Sequence, residues 1–397
     1  MGTLERTSAA VAAGFYTAAD CSLSDFRRVV ETTTRLADHP HADDVVDNVV
    51  VYGPGLREHL HDPARRRAVQ VELAAALLDG PGIVVFRAAF APDVVDAATE
   101  AFTRLIADQR AAGTVAGDHF AKPGANDRVW GALDKLALAE PEVFASYYAN
   151  DLLALVSEAW LGPGYQVTSQ VNVVNPGGRA QVAHRDYHLG FMDRPRAEAF
   201  PAQVHALSPV LTLQGAVAHV DMPVETGPTL YLPHSQKYGP GYVAYHDPAF
   251  TEYFEDHHVQ LPLTKGDAVF FNPALFHGAG TNRTSDVRRM ANLLQVSSAF
   301  GRAMETVDTR AICTAVFPVL RRWRADGVED AVLHNVIAAA AEGYPFPTDL
   351  DRDQPVGSLV PASQADLVRQ ALTEDWDDDR LAETLDAQQR RRGASTG

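Results

Sequence analysis

A histidine and an aspartate two positions apart, His184 and Asp186, form the constellation in this chain best suited to metal chemistry. They lie in residues 181–188, which read Gln-Val-Ala-His-Arg-Asp-Tyr-His. Side chains alternate between the two faces of a strand, so an extended segment puts His184 and Asp186 on one side and Arg185 on the other. Two histidines and one carboxylate can hold Fe(II) and leave positions open for a cosubstrate and oxygen. We predict that the third ligand is His277, which arrives from another strand.

The spacing of histidine and acid does not by itself select this pair. With 15 histidines and 51 acidic residues in 397, chance supplies about two His-x-acid triplets. Two competitors are present, one at His41 and Asp43 and the other at His219 and Asp221. A further signal is therefore needed to choose among the three.

Composition excludes several classes of function. The chain has a formal net charge of −17, with 46% hydrophobic and 21% charged residues, as in ordinary globular proteins. Surfaces for nucleic acid or anionic membrane need clustered positive charge, so we expect neither partner. Two cysteines, Cys21 and Cys313, are too few for a disulfide framework or a thiolate zinc site. Because no long apolar run or secretory start is present, we expect a cytoplasmic protein.

Hydrophobic periodicity divides the chain into three parts. Residues 1–67 are polar and helix-prone, and we predict a solvated helical leader there. Residues 68–300 begin with a helix at 69–78, a buried strand at 83–86 and a helix from Pro92. Residues 301–397 are predicted to be a helical C-terminal extension that ends in a charged, solvated tail.

The middle part contains the predicted core. From Tyr165 the hydrophobic period changes to two, and short strands recur without intervening helices until about residue 298. This pattern indicates an α+β fold whose core, about residues 165–298, is a double-stranded β-helix of the jelly-roll or cupin type, flanked by helices. One face of its first strand is polar and carries Gln170 and Asn172, so that face lines a wet cavity or meets solvent.

Four segments, taken in order, resemble the phytanoyl-CoA dioxygenase family of Fe(II)- and 2-oxoglutarate-dependent oxygenases. They are residues 78–86 (Leu-Asp-Gly-Pro-Gly-Ile-Val-Val-Phe), the His184-Arg-Asp triplet, residues 225–235 (Glu-Thr-Gly-Pro-Thr-Leu-Tyr-Leu-Pro-His-Ser), and His277 followed by Arg288. The resemblance covers roughly residues 80–296. In the family, the metal triplet precedes the Gly-Pro segment by a few strands. The resemblance therefore favours His184 as the metal ligand and implies a structural or supporting role for His219 and Asp221.

The resemblance implies a role for each of these residues. His184, Asp186 and His277 would ligate iron, and Arg288, eleven residues after His277, would receive the distal carboxylate of 2-oxoglutarate. A guanidinium suits that carboxylate because it is planar and permanently charged. Arg289 is the adjacent alternative and points to the opposite face. Further candidates are Thr281 as a weaker hydroxyl partner of the carboxylate, and Gln170 and Asn172 as residues that bind the cosubstrate or surround the metal. Gln214, Tyr187 and His188 are candidates for the surroundings of the metal or the substrate wall.

The predicted activity is oxidation of a substrate C–H bond by O2, with 2-oxoglutarate converted to succinate and CO2. Related halogenases lack the carboxylate ligand, so Asp186 favours hydroxylation or another oxidation over halogenation. Two alternatives remain open, a cupin-like metal enzyme that does not use 2-oxoglutarate and a non-catalytic jelly-roll binding protein. The substrate would be a small molecule. The sequence identifies neither the substrate nor the oligomeric state. Four cationic residues either bind an anionic group of the substrate or lie on the surface, namely Lys122, Arg128 (with Trp130), Arg179 and Arg185.

Overall fold

The computed structural model describes residues 14–113 and 125–393. The strands of these residues are β1 (Asp44–Val46), β2 (Val49–Tyr52), β3 (Ile83–Phe86), β4 (Asn126–Val129), β5 (Gln166–Val174), β6 (Thr212–Ala218), β7 (Leu230–Leu232), β8 (Ala268–Phe271), β9 (Phe276–Gly278) and β10 (Arg289–Ser297). Eight of them form one sheet in the order β1-β2-β3-β8-β6-β10-β5-β4, and β7 pairs with β9 in a second sheet.

The α-helices of the described residues surround this pair of sheets. They are α1 (Leu23–Val30), α2 (Pro63–Leu78), α3 (Pro92–Ala111), α4 (Ala132–Ala139), α5 (Pro141–Tyr148), α6 (Asp151–Leu161), α7 (Arg194–Glu198), α8 (Ala202–Leu207), α9 (Gly241–Ala244), α10 (Pro248–His257), α11 (Thr309–Ala325), α12 (Asp330–Ala340), α13 (Gln364–Thr373) and α14 (Asp378–Arg392). None of these helices combines the length and the apolar character that crossing a bilayer requires.

The two faces of the large sheet have different partners. The largest apolar cluster, which includes Val171, Val173 and Leu294, lies between the sheet and the helices. On the opposite face Phe271 of β8 packs against Tyr231 of the small sheet, with ring centroids 5.2 Å apart. The two sheets thus enclose an interior, as expected for a double-stranded β-helix. The predicted fold class is confirmed.

Strand β10 lies between β5 and β6 in the middle of the large sheet. Its odd-numbered residues Arg289, Ala291, Leu293 and Gln295 line the interior cavity. Met290, Leu294 and Val296 instead belong to the apolar cluster beneath the helices. The same alternation places Gln170 and Asn172 of β5 on the cavity side. The polar face of β5 therefore lines the cavity and does not meet bulk solvent.

Residues 14–67 are more integrated than a solvated helical leader would be. Strand β2 pairs in parallel with β3 and so extends the large sheet. It is joined to β1 through Asp47 and Asn48, both with positive φ (50° and 67°), as in the two-residue turns that suit a hairpin. Phe26 of α1 is fully buried and contacts the rings of Tyr238, Phe250, Tyr253 and Phe276.

The C-terminal helices also pack onto the rest of the chain. Leu381 and Leu385, one helical turn apart on α14, are buried in the main apolar cluster. Arg310 of α11 pairs with Asp386 of α14 at 3.0 Å. Residues 378–392 are helical, but they are not simply solvated as predicted for the charged tail, because one face of α14 is buried. Boundaries at 67 and 300 stay predictions, and packing contacts cross both of them.

Candidate metal centre and its cavity

His184 and His277 are brought together by their own main chains. His277 is the central residue of β9, and its amide donates to the carbonyl of His184 at 3.1 Å. The amide of His184 donates to the carbonyl of His277 at 3.0 Å. The segment that carries His184 thus runs antiparallel to β9, although only a single bridge forms where the sequence predicts a longer strand. Asp186 is fixed next to them because its amide donates to the carbonyl of Pro273 at 3.0 Å.

The three side chains converge on one point. Nε2 of His184 lies 3.8 Å from Oδ1 of Asp186, and Nε2 of His277 lies 3.4 Å from Oδ2. One potential ligand atom from each residue can be chosen so that all lie within 4.8 Å of one another. The structure therefore joins the three residues that the sequence nominates as metal ligands.

The tautomers of both histidines suit metal binding. Nδ1 of His184 lies 2.9 Å from the carbonyl of Val182, and Nδ1 of His277 lies 2.9 Å from the carbonyl of Leu275. A carbonyl can only accept, so Nδ1 carries the proton and Nε2 of a neutral ring keeps its lone pair. Both lone pairs then belong to nitrogens that face Asp186. The donor set, two imidazole nitrogens and a carboxylate, is the one used by non-haem Fe(II) oxygenases.

The surroundings favour the ligand forms of these groups. Burial, reinforced by His277, lowers the pKa of His184, although Asp186 opposes the shift. Burial raises the pKa of Asp186, but the neighbouring imidazoles of His277 and His184 and the side-chain amide of Gln214 together bring it well below its ordinary value. Gln214 of β6 donates to Oδ2 of Asp186 at 2.5 Å and so orients the carboxylate.

Arg185 supports the metal-ligand segment from the opposite side. It is 2% exposed, and it donates to the carbonyls of Ser235 at 2.5 Å and Tyr238 at 3.1 Å. Its guanidinium lies between the rings of Tyr242 and Phe276, 5.1 and 5.2 Å from their centroids. Arg185 therefore does not face the cavity, and the suggestion that it recognises an anionic ligand is wrong.

The metal cluster opens into a cavity of about 1320 Å³ between the two sheets. Its described walls include the three candidate metal ligands. They also include the polar side chains of Gln170, Asn172 and Gln214. Gln170 accepts from Nη2 of Arg128 at 2.9 Å, and Asn172 accepts from the amide of Asn126 at 3.3 Å. These hydrogen bonds engage each residue with a neighbouring wall group. Whether either of them binds the cosubstrate stays a prediction.

Arg288 lies outside the cavity, so its predicted placement inside the barrel is wrong. Its Nη2 is 2.9 Å from Oδ2 of Asp127, its Nε donates to Asn175 at 3.1 Å, and half of its side chain is exposed. The physical reason is strand alternation. Residue 289 begins β10 on the cavity side, so its predecessor faces away.

Arg289 occupies the interior position instead. Its side chain is almost fully buried, and Nη1 has no hydrogen-bond partner among the described residues. Burial lowers the pKa of Arg289 to about 10, with Tyr231 opposing the shift, so the group is cationic at neutral pH. Tyr231 lies directly opposite His277 in the small sheet, and Thr229, hydrogen-bonded to Tyr231, lines the cavity as well.

Thr229 and Tyr231 line the cavity although neither was predicted as a site residue. Both lie in the Gly-Pro segment, two positions apart, so strand alternation places them on one face. This alternation could have identified them as residues that share a surface. Thr281 does not belong to the described cavity wall, and its hydroxyl accepts from the amide of Ala180 at 2.9 Å. The hydroxyl of Thr281 is therefore engaged by the backbone of the segment that contains Ala180.

The competing triplets are not part of this cluster. His219 is buried, with Nδ1 2.8 Å from the hydroxyl of Thr99 and Nε2 3.0 Å from that of Tyr147. Nδ1 of His41 lies 2.6 Å from Oε2 of Glu72. Among the described residues, the grouping that could hold a metal is His184, Asp186 and His277. Lys122, suggested as an anion-binding residue, lies outside the described residues.

A jelly roll that directs two imidazoles and a carboxylate into one cavity has the fold and the donor set that non-haem Fe(II) oxygenases use. A model of the phytanoyl-CoA dioxygenase (PhyH) family matches residues 78–290. The match spans more than half of the chain, and the chain belongs to this family. It is a 2-oxoglutarate-dependent dioxygenase, an oxidoreductase whose cofactor is Fe(II).

Individual curated proteins and solved structures are similar to this chain at 15–34% sequence identity. Dioxygenase trt7 of Aspergillus terreus is 28% identical over 227 residues, which cover 56% of this chain and 71% of that protein. Dioxygenase cdmD of Talaromyces verruculosus is 34% identical over 116 residues, 29% of this chain and 34% of that protein. The carbocyclase SnoK from nogalamycin biosynthesis is 21% identical with a TM-score of 0.43, over 57% of this chain and 83% of SnoK. HygX from Streptomyces hygroscopicus is 15% identical with a TM-score of 0.42, over 59% of this chain and 90% of HygX.

Proposed function

We propose that the enzyme hydroxylates, or otherwise oxidises, an unactivated C–H bond of a small molecule, with release of succinate and CO2. In this proposal Nε2 of His184, Nε2 of His277 and the carboxylate of Asp186 hold the iron. The observation that carries it is the convergence of the three ligand atoms within 4.8 Å while both Nδ1 atoms are bonded to backbone carbonyls. This geometry presents a ligand set without any rearrangement of the chain.

Arg289 is the residue that we assign to the distal carboxylate of 2-oxoglutarate. A buried cation without an acidic partner is costly unless an anion completes its hydrogen bonds. Nη1 of Arg289 lacks a partner among the described residues, and its side chain lines the same cavity as the metal cluster. This arrangement favours a 2-oxoglutarate enzyme over a cupin-like enzyme that uses the metal alone, since the latter would have no use for the charge.

The protein's part in the reaction is to bind and to orient. Iron and 2-oxoglutarate, when bound, supply the oxidation of the substrate by O2. Gln214 holds the Asp186 carboxylate in one orientation, while the carbonyls of Val182 and Leu275 keep both imidazoles turned toward it. The carboxylate ligand is retained, which favours hydroxylation or a related oxidation over halogenation.

The test is metal binding together with 2-oxoglutarate turnover. We expect one Mn(II) per folded chain, and succinate formation that depends on both Fe(II) and O2. His277→Ala should lose both properties, whereas His41→Ala, the matched change in a competing triplet, should keep them. Retention of metal and turnover by His277→Ala would contradict the proposal.

A further inference from the structure

Three buried, uncharged polar side chains on the cavity wall each keep a hydrogen-bonding atom without a partner among the described residues. The atoms are Oε1 of Gln214, Oε1 of Gln295 and the hydroxyl oxygen of Tyr187, and each side chain belongs to a residue at most 8% exposed. Buried polar atoms are nearly always paired in folded proteins, because an unpaired one is costly. A ligand in the cavity that supplied the missing partners would remove that cost.

Gln214 can offer only its oxygen to such a ligand. Its Nε2 donates to Oδ2 of Asp186 at 2.5 Å, and an ionised carboxylate only accepts hydrogen bonds. The amide is therefore fixed with its nitrogen toward the candidate metal ligand. Oε1 is left as an acceptor close to the metal centre.

Gln295 extends this acceptor into a patch. It lies directly opposite Gln214 where β10 pairs with β6, and both residues line the cavity. Cβ atoms of directly opposite residues are about 4.5–5.5 Å apart. Arg289 begins the same strand, roughly 20 Å away at about 3.3 Å per residue. The patch is thus separate from the arginine assigned to 2-oxoglutarate, whose carboxylates are acceptors themselves and cannot pair with glutamine oxygens.

An unusual backbone conformation places Tyr187 on the cavity wall. In a continued strand it would face away from Asp186, but its φ is 30° and both residues line the cavity. A positive φ is rare for a bulky residue and persists only where the surroundings hold it. Here the carbonyl of Tyr187 accepts from the hydroxyls of Tyr242 at 2.7 Å and Ser208 at 2.9 Å. Ser208 in turn accepts from the amide of His188 at 2.6 Å.

The hydroxyl of Tyr187 adjoins the same part of the wall as the glutamine patch. Tyr187 is close enough to Glu305 to feel its charge, and Glu305 is hydrogen-bonded to Gln170. Gln170 lies opposite Leu293, two positions before Gln295 on the cavity face of β10. The Tyr187 hydroxyl and Oε2 of Glu305 are not bonded to each other, since both lack a partner. A phenol keeps its proton at neutral pH, so Tyr187 is available as a donor.

The space beside these three residues is apolar and wide. The ring of Phe191 packs edge-on against that of Tyr187, with centroids 5.1 Å apart, and Phe191 is 58% exposed. Val182 and Met192 line the same cavity. Its volume of about 1320 Å³ exceeds the roughly 300–1,000 Å³ of ordinary ligand pockets. A large apolar body therefore fits here together with the cosubstrate.

We propose that Gln214, Gln295 and Tyr187 form a substrate-binding subsite for an uncharged group that both donates and accepts hydrogen bonds, an amide or a hydroxyl, on a mostly apolar small molecule. The N–H or O–H of this group donates to the glutamine oxygens, and its oxygen accepts from the hydroxyl of Tyr187. The inference rests on the proposed function, because it is the contact of Gln214 with the iron ligand Asp186 that brings the group close to the metal.

The test uses two matched pairs of probes with one ring system. N-methyl-2-naphthamide and methyl 2-naphthoate differ by an N–H in place of an ester oxygen, and 2-naphthalenemethanol is compared with its methyl ether. Each is titrated by calorimetry into the full chain loaded with Mn(II) and saturating 2-oxoglutarate, after loading has been measured separately. In at least one pair we expect the member with the N–H or O–H to bind at least about fivefold more tightly. The pair that shows this preference distinguishes an amide from a hydroxyl.

Variants separate the acceptors from the donor. Gln295→Met keeps a side chain of similar length without the oxygen, and it should reduce the preference within the pair at least about threefold. Tyr187→Phe should weaken both members of the pair alike, because each of them retains an acceptor oxygen. Gln70→Met, on α2 and outside the described cavity wall, is the matched control and should change neither affinity.

Unfolding in urea, without any ligand, tests the unpartnered hydroxyl itself. Tyr187→Phe removes a buried group that has no partner among the described residues, so the unfolding midpoint should stay the same or rise. Tyr148→Phe is the matched change of a buried tyrosine outside the cavity wall. Its hydroxyl donates to Ser169 at 3.1 Å, and its loss should lower the midpoint.

Four outcomes would overturn the inference: equal affinity within both pairs, a preference that is unchanged in Gln295→Met, no binding of any probe to the loaded chain, or a midpoint lowered as much by Tyr187→Phe as by Tyr148→Phe. Failure to load Mn(II) and 2-oxoglutarate would instead contradict the proposed function. The comparison of unfolding midpoints needs no ligand and would still test the subsite.

Discussion

At the scale of single residues, Arg289 and Arg288 form a natural pair for comparison. One is buried in the cavity with an unpartnered Nη1, and the other is half exposed and paired with Asp127. Removing a charged hydrogen-bonding group costs about 1.5–3 kcal/mol, or roughly 10–150-fold in affinity. We expect Arg289→Ala to weaken 2-oxoglutarate binding by about that factor in titrations of the Mn(II)-loaded protein.

Arg288→Ala is the matched control for this prediction. It should change 2-oxoglutarate affinity by less than about twofold, since its partners lie on the outer side of the sheet. Arg289→Lys should restore part of the affinity because the charge returns without the planar fork. The reverse ranking of the two alanine variants would show that the assignment to Arg289 is mistaken.

Arg185 yields a second prediction, because it supports the metal-ligand segment without facing the metal. Arg185→Met would leave the carbonyls of Ser235 and Tyr238 without this donor in a buried site. Loss of a group that orients metal ligands typically costs about 10–100-fold in metal affinity. We expect Mn(II) to bind more weakly by that factor to folded Arg185→Met, with partial recovery in Arg185→Lys. Unchanged Mn(II) affinity in both variants would make Arg185 a purely structural residue.

The residues that bear the chemistry were easier to predict than their orientations. His184, Asp186 and His277 could be nominated from residue type together with the motif order of the family that the sequence resembles, and the structure brings them together. The choice between Arg288 and Arg289 depended on where β10 begins, and motif spacing does not encode that point to within one residue. Tyr231 and Thr229 were missed because their neighbourhood arises only when β7 pairs with β9.

At the scale of elements, α1 tests whether residues before 67 belong to the fold. Phe26 is completely buried among aromatic rings, two of them from α10 and one from β9. Truncating a buried Phe to Ala costs about 3–5 kcal/mol. We expect Phe26→Ala to lower the free energy of unfolding in urea by about that amount. Arg28→Ala on the exposed face of α1 should change it by less than about 0.5 kcal/mol, and equal effects of the two changes would argue for a separate leader.

Long periodic elements were predictable and short ones were not. The two-residue alternation of β5 over nine residues correctly indicated one polar and one apolar face. Strand β2 has only four residues, Val49–Tyr52, and all four are buried, so it shows no alternation to distinguish it from a helix turn. Helix α14 looks solvated in sequence because its few buried residues, such as Leu381 and Leu385, stand among charged ones.

At the scale of the whole molecule, ligands of the proposed site should stabilise the fold by mass action. We expect Mn(II) and 2-oxoglutarate to bind only the folded chain, in which case a ligand at 100 times its Kd adds about 2.7 kcal/mol. For a chain of this size we expect Tm to rise by about 3 °C for each ligand. Differential scanning calorimetry should show both increments in the wild type, whereas in Arg289→Ala the Mn(II) increment should remain and the 2-oxoglutarate increment should fall to about half or less. A Tm unchanged by either ligand would contradict the site assignment.

His219 predicts how stability depends on pH. Burial lowers the pKa of His219 to about 3 in the folded state, whereas an unfolded histidine titrates near 6.5. Between these values the unfolded chain binds more protons, so this group makes stability fall as pH drops from about 6.5 toward 3, by at most about 1.4 kcal/mol per pH unit. Urea unfolding at pH 7 and pH 5 should show a smaller loss in His219→Gln than in the wild type. An equal loss in both would exclude His219 as a source of acid sensitivity.

The pair of main-chain hydrogen bonds between His184 and His277 has a consequence for how the enzyme is assembled. The bridge holds the backbones of the two residues side by side through the polypeptide itself, so we expect the two imidazoles to stay close to each other whether or not an ion is bound. We therefore expect the folded protein to release iron to a chelator, and to bind iron again once the chelator is removed, without unfolding and refolding. Other divalent ions, Mn(II) among them, should enter the same preformed position and serve as inert reporters of it.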